Sequence, residues 1–219
     1  ARLTKYNVGA GDWRRPIGAT QVILVPGQVE SDASLAWGAP GLRRNAELLQ
    51  AVREANPGAW IVYKPHPDVV AGLRGQDGSL TVPLAEHCNE QVVDVPMAAL
   101  LDRVDEVHTL TSLAGFEALL RGKKVVCYGL PFYAGWGLTD DRLPLPAGRR
   151  RRALTLDELV AGALLLYPCY LSRRTGRFTT AERTLDELCH WREQGVSRMP
   201  WWRRALRVVL GAWARWKGR

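Results

Sequence analysis

Short apolar runs rich in valine and isoleucine recur along the chain, each closed by proline, glycine or a charged residue. They are QVILV at 21–25, AWIVYK at 59–64, QVVDV at 91–95, DEVHTL at 105–110 and KKVVCYG at 123–129. Their length, β-branching and flanking turns predict strands. Between them the apolar positions fall at helical spacing, from Leu42 to Glu54, Met97 to Arg103 and Ser112 to Arg121, the last stopped by Gly122. Strands that are apolar on both faces, alternating with helices, predict an α/β fold: a Rossmann-like parallel sheet with flanking helices. Ligands of such sheets bind beyond the carboxyl ends of the strands, so the loops that follow strands carry the functional information.

After Thr139 the pattern changes. RLPLPAGRRRR reads as an exposed connection with a solvated basic turn at 149–152, and amphipathic helices are expected over 154–167 and 180–194. The expected organisation is an N-terminal segment over 1–20, a Rossmann-like domain over 21–150, C-terminal helices over 151–196 and a basic amphipathic helix over 197–219. Because the sequence starts at Ala1, without an initiator methionine or a signal-peptide pattern, it is expected to continue from a longer protein.

Charge sharpens the view of the tail. The chain of 219 residues has a formal net charge of +8, but Ser197 to Arg219 holds seven basic residues and no acidic ones. The rest is nearly neutral, which argues against a nucleic-acid-binding body. On a helical wheel Trp202, Leu206, Val209, Trp213 and Trp216 share one face, with Arg203, Arg204, Arg207 and Arg215 opposite. That arrangement is expected to lie in an anionic membrane surface, the alternative being a helix whose tryptophans pack on the protein's own body. No apolar run approaches the roughly 20 residues of a membrane span. Four scattered cysteines without a CxxC motif argue against structural disulfides and zinc, and fit a cytoplasmic protein, peripheral on a membrane.

The chain lacks a GxGxxG after a strand, a GxxxxGK[ST], a GxSxG and an HExxH. Four post-strand loops remain. GQVESDAS (27–34) spaces Gln28, Glu30, Asp32 and Ser34 at alternate positions; its carboxylates suit metal ligation, an acid/base pair or a solvated loop. YKPHPD (63–68) holds His66 between two prolines near Lys64, a stiff arrangement suited to an anion. HTLTS (108–112) ends a strand and opens a helix, with Thr111 or Ser112 as its cap, Gly115 permitting close approach and Glu117 facing outward one turn in; it suits an anion site or an ordinary capped helix. GLPFYAGWGLTDD (129–141) gathers glycines with Phe132, Tyr133 and Trp136, as a loop that shapes a pocket or covers a sheet edge does; Asp140–Asp141 reads as a turn.

Four segments in this order, LVPGQVESDAS, YKPHPDVVAGLR, HTLTSLAGFEALLRGKKVVCYGLPFYAGWGLTDD and LTLDELVAGALLLYP, resemble the bacterial capsule polysaccharide biosynthesis proteins that act as retaining β-Kdo transferases. The resemblance runs from about Lys5 to about Tyr170. It implies the nucleotide-sugar-binding half of a GT-B-like glycosyltransferase, moving Kdo from CMP-Kdo to a lipid-linked glycan acceptor. It implies that His66 and Pro67 meet the CMP phosphate, that Thr111 and Ser112 begin the helix that cradles CMP, and that Glu117 stands where ribose hydroxyls are held. It makes Asp32, within the Gln-x-x-x-Asp-x-Ser pattern of Gln28, Asp32 and Ser34, the catalytic carboxylate. The basic tail lies outside the shared motifs.

Retention is most simply achieved by two inversions through a glycosyl-enzyme intermediate. Asp32 is then the expected nucleophile, with Glu30 as the alternative nucleophile or a general base, Gln28 beside them, and Lys64, His66 and Ser112 on the departing phosphate. A single phosphate needs less neutralisation than a diphosphate, so no metal and no further cofactor is expected. Expected partners are CMP-Kdo, the acceptor, an anionic membrane and other capsule-assembly proteins. The competing readings are a non-catalytic nucleotide-sugar or partner-binding module, and a transferase for another CMP-linked ulosonic acid.

Overall fold

The computed structural model describes residues 11–70, 86–145, 148, 150 and 152–193. The expected 197–219 helix and the first ten residues lie outside the described residues. The chain divides into two compact units, residues 2–157 and 158–219.

The first unit is built on six parallel strands: β1 (Val22–Pro26), β2 (Trp60–Lys64), β3 (Glu90–Gln91), β4 (Glu106–Thr109), β5 (Lys124–Cys127) and β6 (Asp140–Asp141). Their order across the sheet is β3-β2-β1-β4-β5-β6. The chain winds outward in one direction from β1 and in the other from β4, so the topological switch point lies between these two neighbours. Register pairs Ile23 with Glu106 and Ile61. One sheet face presents Ile23, Val25, Ile61, Tyr63, Leu110, Val126 and Tyr128 to Leu35, Leu48, Leu49 and Val52 of helices α1 (Ala33–Gly38) and α2 (Asn45–Ala55). Leu49 is fully buried there; truncating such a side chain to alanine costs about 2–5 kcal/mol. A short helix α3 (Pro67–Val70) follows β2. On the other face, α5 (Leu113–Leu119) packs on β4 and β5, and α4 (Met97–Arg103) packs on α5. Gly122 ends α5 with φ +67°, the left-handed turn its sequence position predicts.

On the first of these faces Glu106 gathers several hydrogen bonds, whereas His108 Nδ1 and the Tyr128 hydroxyl are buried without a hydrogen-bond partner among the described residues. Burial pushes the Glu106 carboxyl up, but hydrogen bonds from His108, Lys124 and Gln21 outweigh it and hold the group below its ordinary range. Burial keeps His108 below its usual pKa, with its Nε2 3.1 Å from Glu106. This cluster sits inside the sheet layer and serves the fold.

Two expectations differ from the structure. The run 91–95 is a strand only at Glu90–Gln91. Val92 still donates to Tyr63 C=O at 2.9 Å, but Asp94 C=O accepts from Gly11 N–H at 2.7 Å, and the chain then turns into α4 at Pro96. Asp140–Asp141, expected as a turn, is edge strand β6. The Asp141 carboxylate accepts from Gly135 N–H and Thr139 Oγ1, both at 2.7 Å, so its charge is consumed in closing the preceding loop.

The second unit contains more than the expected helices. The helix begun at α6 (Leu156–Val160) widens into π turns over Ala161–Leu166, where Tyr167 N–H donates to Gly162 C=O five residues back at 3.0 Å. An antiparallel hairpin follows, β7 (Tyr170–Leu171) and β8 (Phe178–Thr179), then α7 (Ala181–Glu193). Glu187 of α7 accepts from Ser172 Oγ at 2.6 Å and Arg173 N–H at 3.1 Å, fastening the hairpin to the helix. Among the described residues no helix is long and apolar enough to cross a membrane.

Candidate active site

The C-terminal ends of β1, β2 and β4 open into one cleft of about 280 Å³. Its lining includes Gln28, Asp32 and Ser34 after β1, Lys64, His66 and Pro67 at the end of β2, and Thr111, Ser112 and Glu117 after β4. Nine of the thirteen candidate residues therefore meet at the switch point, where an open parallel sheet offers ligand space.

The post-β1 wall starts with a close approach. Gly27 N–H donates to Lys64 C=O at 2.8 Å, and a Cβ on Gly27 would stand 2.6 Å from the Tyr63 hydroxyl. Gln28 is buried, and both polar ends of its amide are used on the neighbouring wall. Its Oε1 accepts from Thr111 N–H at 2.9 Å, and its Nε2 donates to Thr111 Oγ1 at 2.9 Å. A turn closed by Asp32 N–H to Val29 C=O (3.0 Å) then delivers Asp32 as the cap of α1. The half-buried Asp32 carboxylate accepts from Ser34 N–H at 3.1 Å and faces the cleft.

The β2 wall supplies cationic and donor groups. Lys64 is only 6% exposed, and its Nζ donates to Val93 C=O at 2.9 Å. Burial holds its ammonium below the usual lysine range, offset in part by the Asp94 carboxylate. His66 Nδ1 accepts from Asp68 N–H at 3.2 Å, which in the neutral ring leaves the proton on Nε2. A buried ammonium beside a fixed imidazole donor suits an anion of phosphate size.

The β4 wall is an ordered start of a helix. Thr109 Oγ1 accepts from Ser112 N–H at 3.2 Å, and Ser112 Oγ accepts from Ala114 N–H at 3.2 Å as the cap of α5. Glu117 follows one turn later on the cleft side.

Four candidates lie outside this lining. The Glu30 carboxylate is turned toward α2, where its Oε1 accepts from Asn45 N–H at 2.8 Å and Asn45 Nδ2 at 3.1 Å. Tyr133 is fully buried, and its hydroxyl donates to Ser112 C=O. Gly115 is there for packing: a Cβ at this position would overlap the Tyr133 hydroxyl. Trp136 donates from Nε1 to Phe132 C=O at 2.8 Å and carries the Arg150 guanidinium 5.7 Å from its ring centroid. Phe116, Phe132 and Tyr133 pack with ring centroids 5.1–6.3 Å apart, so the 129–141 loop supports α5 from behind. Arg150, expected in a solvated turn, donates to Ala134 C=O at 2.6 Å and belongs to the same support.

Sequence reasoning missed Asn45, which is 3% exposed and bonds Gln28 through both its backbone groups. Its partner backbone is seventeen residues away in sequence, so no local signal picks it out. Among the described residues no group of three or more His, Cys, Asp or Glu is placed to hold a metal.

Comparison with known proteins gives a consistent result. The chain is 53% identical over 181 residues to the capsule polysaccharide modification protein LipA of Neisseria meningitidis serogroup A, covering 82% of this chain and 25% of LipA. It is 43% identical over 198 residues to the lipopolysaccharide-processing protein LpsZ of Rhizobium meliloti, covering 90% of this chain and 44% of LpsZ. Among solved structures, Thermosulfurimonas dismutans KpsC, beta Kdo 2,7 transferase, matches with 51% identity and a TM-score of 0.73, over 82% of this chain and 56% of that one. The KpsC beta Kdo 2,4 transferase matches with 33% identity and a TM-score of 0.72, covering 83% of this chain and 56% of that one. The chain thus spans about a quarter of the length of LipA and just over half of each KpsC chain. The profile described as capsule polysaccharide biosynthesis protein matches residues 15–170, and the chain belongs to that family.

Proposed function

We propose that this chain supplies the nucleotide-binding and nucleophile side of a retaining glycosyltransferase that moves Kdo from CMP-Kdo to a glycan acceptor in capsule polysaccharide biosynthesis. The observation that carries the reading is one cleft at the switch point, lined by the Asp32 carboxylate together with Lys64, His66 and the capped start of α5. The likeness to the KpsC Kdo transferases supports the donor and the reaction class. The higher identity to the 2,7 transferase favours O7 of an acceptor Kdo as the site of attachment.

In the first step an Asp32 oxygen attacks the anomeric carbon. The bond from that carbon to the CMP phosphate oxygen breaks with its electron pair on CMP, leaving an ester between Asp32 and the sugar. Lys64 and the Nε2–H of His66 stabilise the charge gathering on the departing phosphate. In the second step the acceptor hydroxyl attacks from the side CMP vacated, its proton passes to water, and the Asp32 carboxylate is released. Two inversions give retention. Buried donors answer the single phosphate, so the reaction is expected to proceed in EDTA.

Replacing Asp32 with Asn in the full-length protein tests the reading. Transfer from CMP-Kdo is expected to fall by about 10³-fold or more, while CMP binding measured by calorimetry stays within a few-fold. Turnover near the wild-type rate would overturn it. Competition with a CMP-linked sialic acid discriminates the donor: inhibition comparable with that by CMP-Kdo itself would remove Kdo from the proposal. A basic tryptophan-bearing helix over 200–217 would hold the enzyme at an anionic, cytoplasmic membrane face where a lipid-linked acceptor resides. Unchanged binding to anionic vesicles after deletion of 197–219 would remove that part.

A further inference from the structure

Two carboxylates lie two residues apart after β1, and the structure gives them different surroundings. Asp32 faces the cleft, whereas Glu30 Oε1 accepts two N–H groups of Asn45, the first residue of α2. That carboxylate is held by two donors at the start of an 11-residue helix and stays outside the cleft lining. Asn45 in turn closes a pair of bonds on the backbone of Gln28: Gln28 N–H donates to Asn45 Oδ1 and Asn45 Nδ2 donates to Gln28 C=O, each at 2.9 Å. Gln28 passes the connection to the opposite wall through Thr111 N–H and Oγ1, and Thr109 Oγ1 reaches Gln28 Oε1 at 3.4 Å while accepting from Ser112 N–H. A continuous chain of hydrogen bonds thus runs from the start of α2, across the post-β1 loop, to the start of α5.

We infer that Glu30 and Asn45 form a positioning pair that sets the separation between Asp32 and the phosphate-binding wall, and that Glu30 is not an acid, base or nucleophile of the reaction. The inference rests on the proposed transferase reading for its catalytic consequence, but the clamp itself does not depend on the donor. With Gln28 and Glu30 both pinned and the Asp32 N–H bonded to Val29 C=O, the nucleophile's backbone is fixed from one side. Ser112 is fixed from the other by Thr109. Releasing Asn45 frees these two walls to drift, and a misplacement of about 1 Å between reacting groups costs roughly 10²-fold in rate.

Three variants of the full-length protein test this. Glu30→Gln keeps an oxygen acceptor for both Asn45 donors, so kcat and its pH profile are expected to remain within about 3-fold of wild type. Glu30→Ala and Asn45→Ala are expected to lower kcat by about 10–100-fold with the Kd for CMP changed by less than about 3-fold. Should Asn45→Ala fail to fold, Asn45→Ser replaces it. A Glu30→Gln enzyme as inactive as Glu30→Ala, or with a lost limb of the pH profile, would overturn the inference in favour of a chemical role for Glu30. Wild-type kcat in both Asn45→Ala and Glu30→Ala would overturn the positioning role. Hydrogen exchange at the Thr111 and Ser112 amides decides the clamp independently: both must exchange faster in Asn45→Ala. Absence of transfer from CMP-Kdo by the wild-type protein would count against the transferase reading alone, and the exchange result would still confirm or refute the clamp.

Discussion

The post-β1 loop and the 129–141 loop look equally promising as sequence, and they do opposite jobs. The first places Gln28, Asp32 and Ser34 on the cleft. The second turns Tyr133 inward, fully buried, and seats it beneath Gly115 with its hydroxyl on Ser112 C=O. Short polar residues directly after a central strand have no core to enter and stay at the switch point. Aromatic residues after an outer strand can bury large areas, and they follow the hydrophobic gain. The separation of roles is therefore energetic. One loop holds polar groups toward solvent and ligand, and the other supports the helix that carries the opposite wall.

The largest effect that would break this division is at the ligand wall. Lys64→Met is expected to weaken CMP binding by about 10–100-fold, the worth of a charge-assisted hydrogen bond of roughly 1.5–3 kcal/mol. The same variant should melt no lower than wild type. The folded state holds the Lys64 pKa below its unfolded value, so the unfolded chain binds the proton more readily and stability rises with pH through that window. At neutral pH the buried ammonium costs stability, and methionine removes that cost. Wild-type affinity for CMP should fall as pH climbs through the depressed Lys64 pKa, below the ordinary lysine range, and Lys64→Met should flatten that limb. A variant that melts lower and binds CMP normally would make Lys64 a structural residue.

The second effect lies behind the wall. Gly115→Ala brings a methyl group into the Tyr133 hydroxyl. It should cost about 1–3 kcal/mol in denaturant unfolding, the usual penalty of overpacking. Loss of CMP affinity with unchanged stability would instead place Gly115 against the ligand.

The sheet, its helices and most of the cleft were legible because they rest on local signals. β-branched runs, a helix stop at Gly122 and polar clusters after strands are each readable from a few neighbouring residues. Three things were not. Strand β6 was hidden because Asp140–Asp141 reads as a turn, and only its pairing with Val126 and Cys127 makes it a strand. The hairpin of β7 and β8 is two residues a side, too short for an alternating pattern to show. The orientation of Glu30 depends on Asn45, fifteen residues away, and no local rule separates it from Asp32. Long-range pairing decides each case, and a single sequence does not display it.

The smallest effect tests the support role most directly. Tyr133→Phe removes the hydroxyl that donates to Ser112 C=O. That carbonyl also accepts from Gly115 N–H at 3.1 Å, so it is not left bare. The expected cost is therefore about 0.5–1 kcal/mol, the low end for a lost hydrogen bond, with CMP affinity within about 2-fold. Because the Gly115 clash falls first on this hydroxyl, the double variant Gly115→Ala/Tyr133→Phe should be more stable than the sum of the single losses, with a coupling of about 0.5 kcal/mol or more. Strict additivity would mean that the tyrosine does not seat against Gly115. A tenfold loss of CMP affinity in Tyr133→Phe would move the 129–141 loop to the ligand side and dissolve the contrast between the two loops.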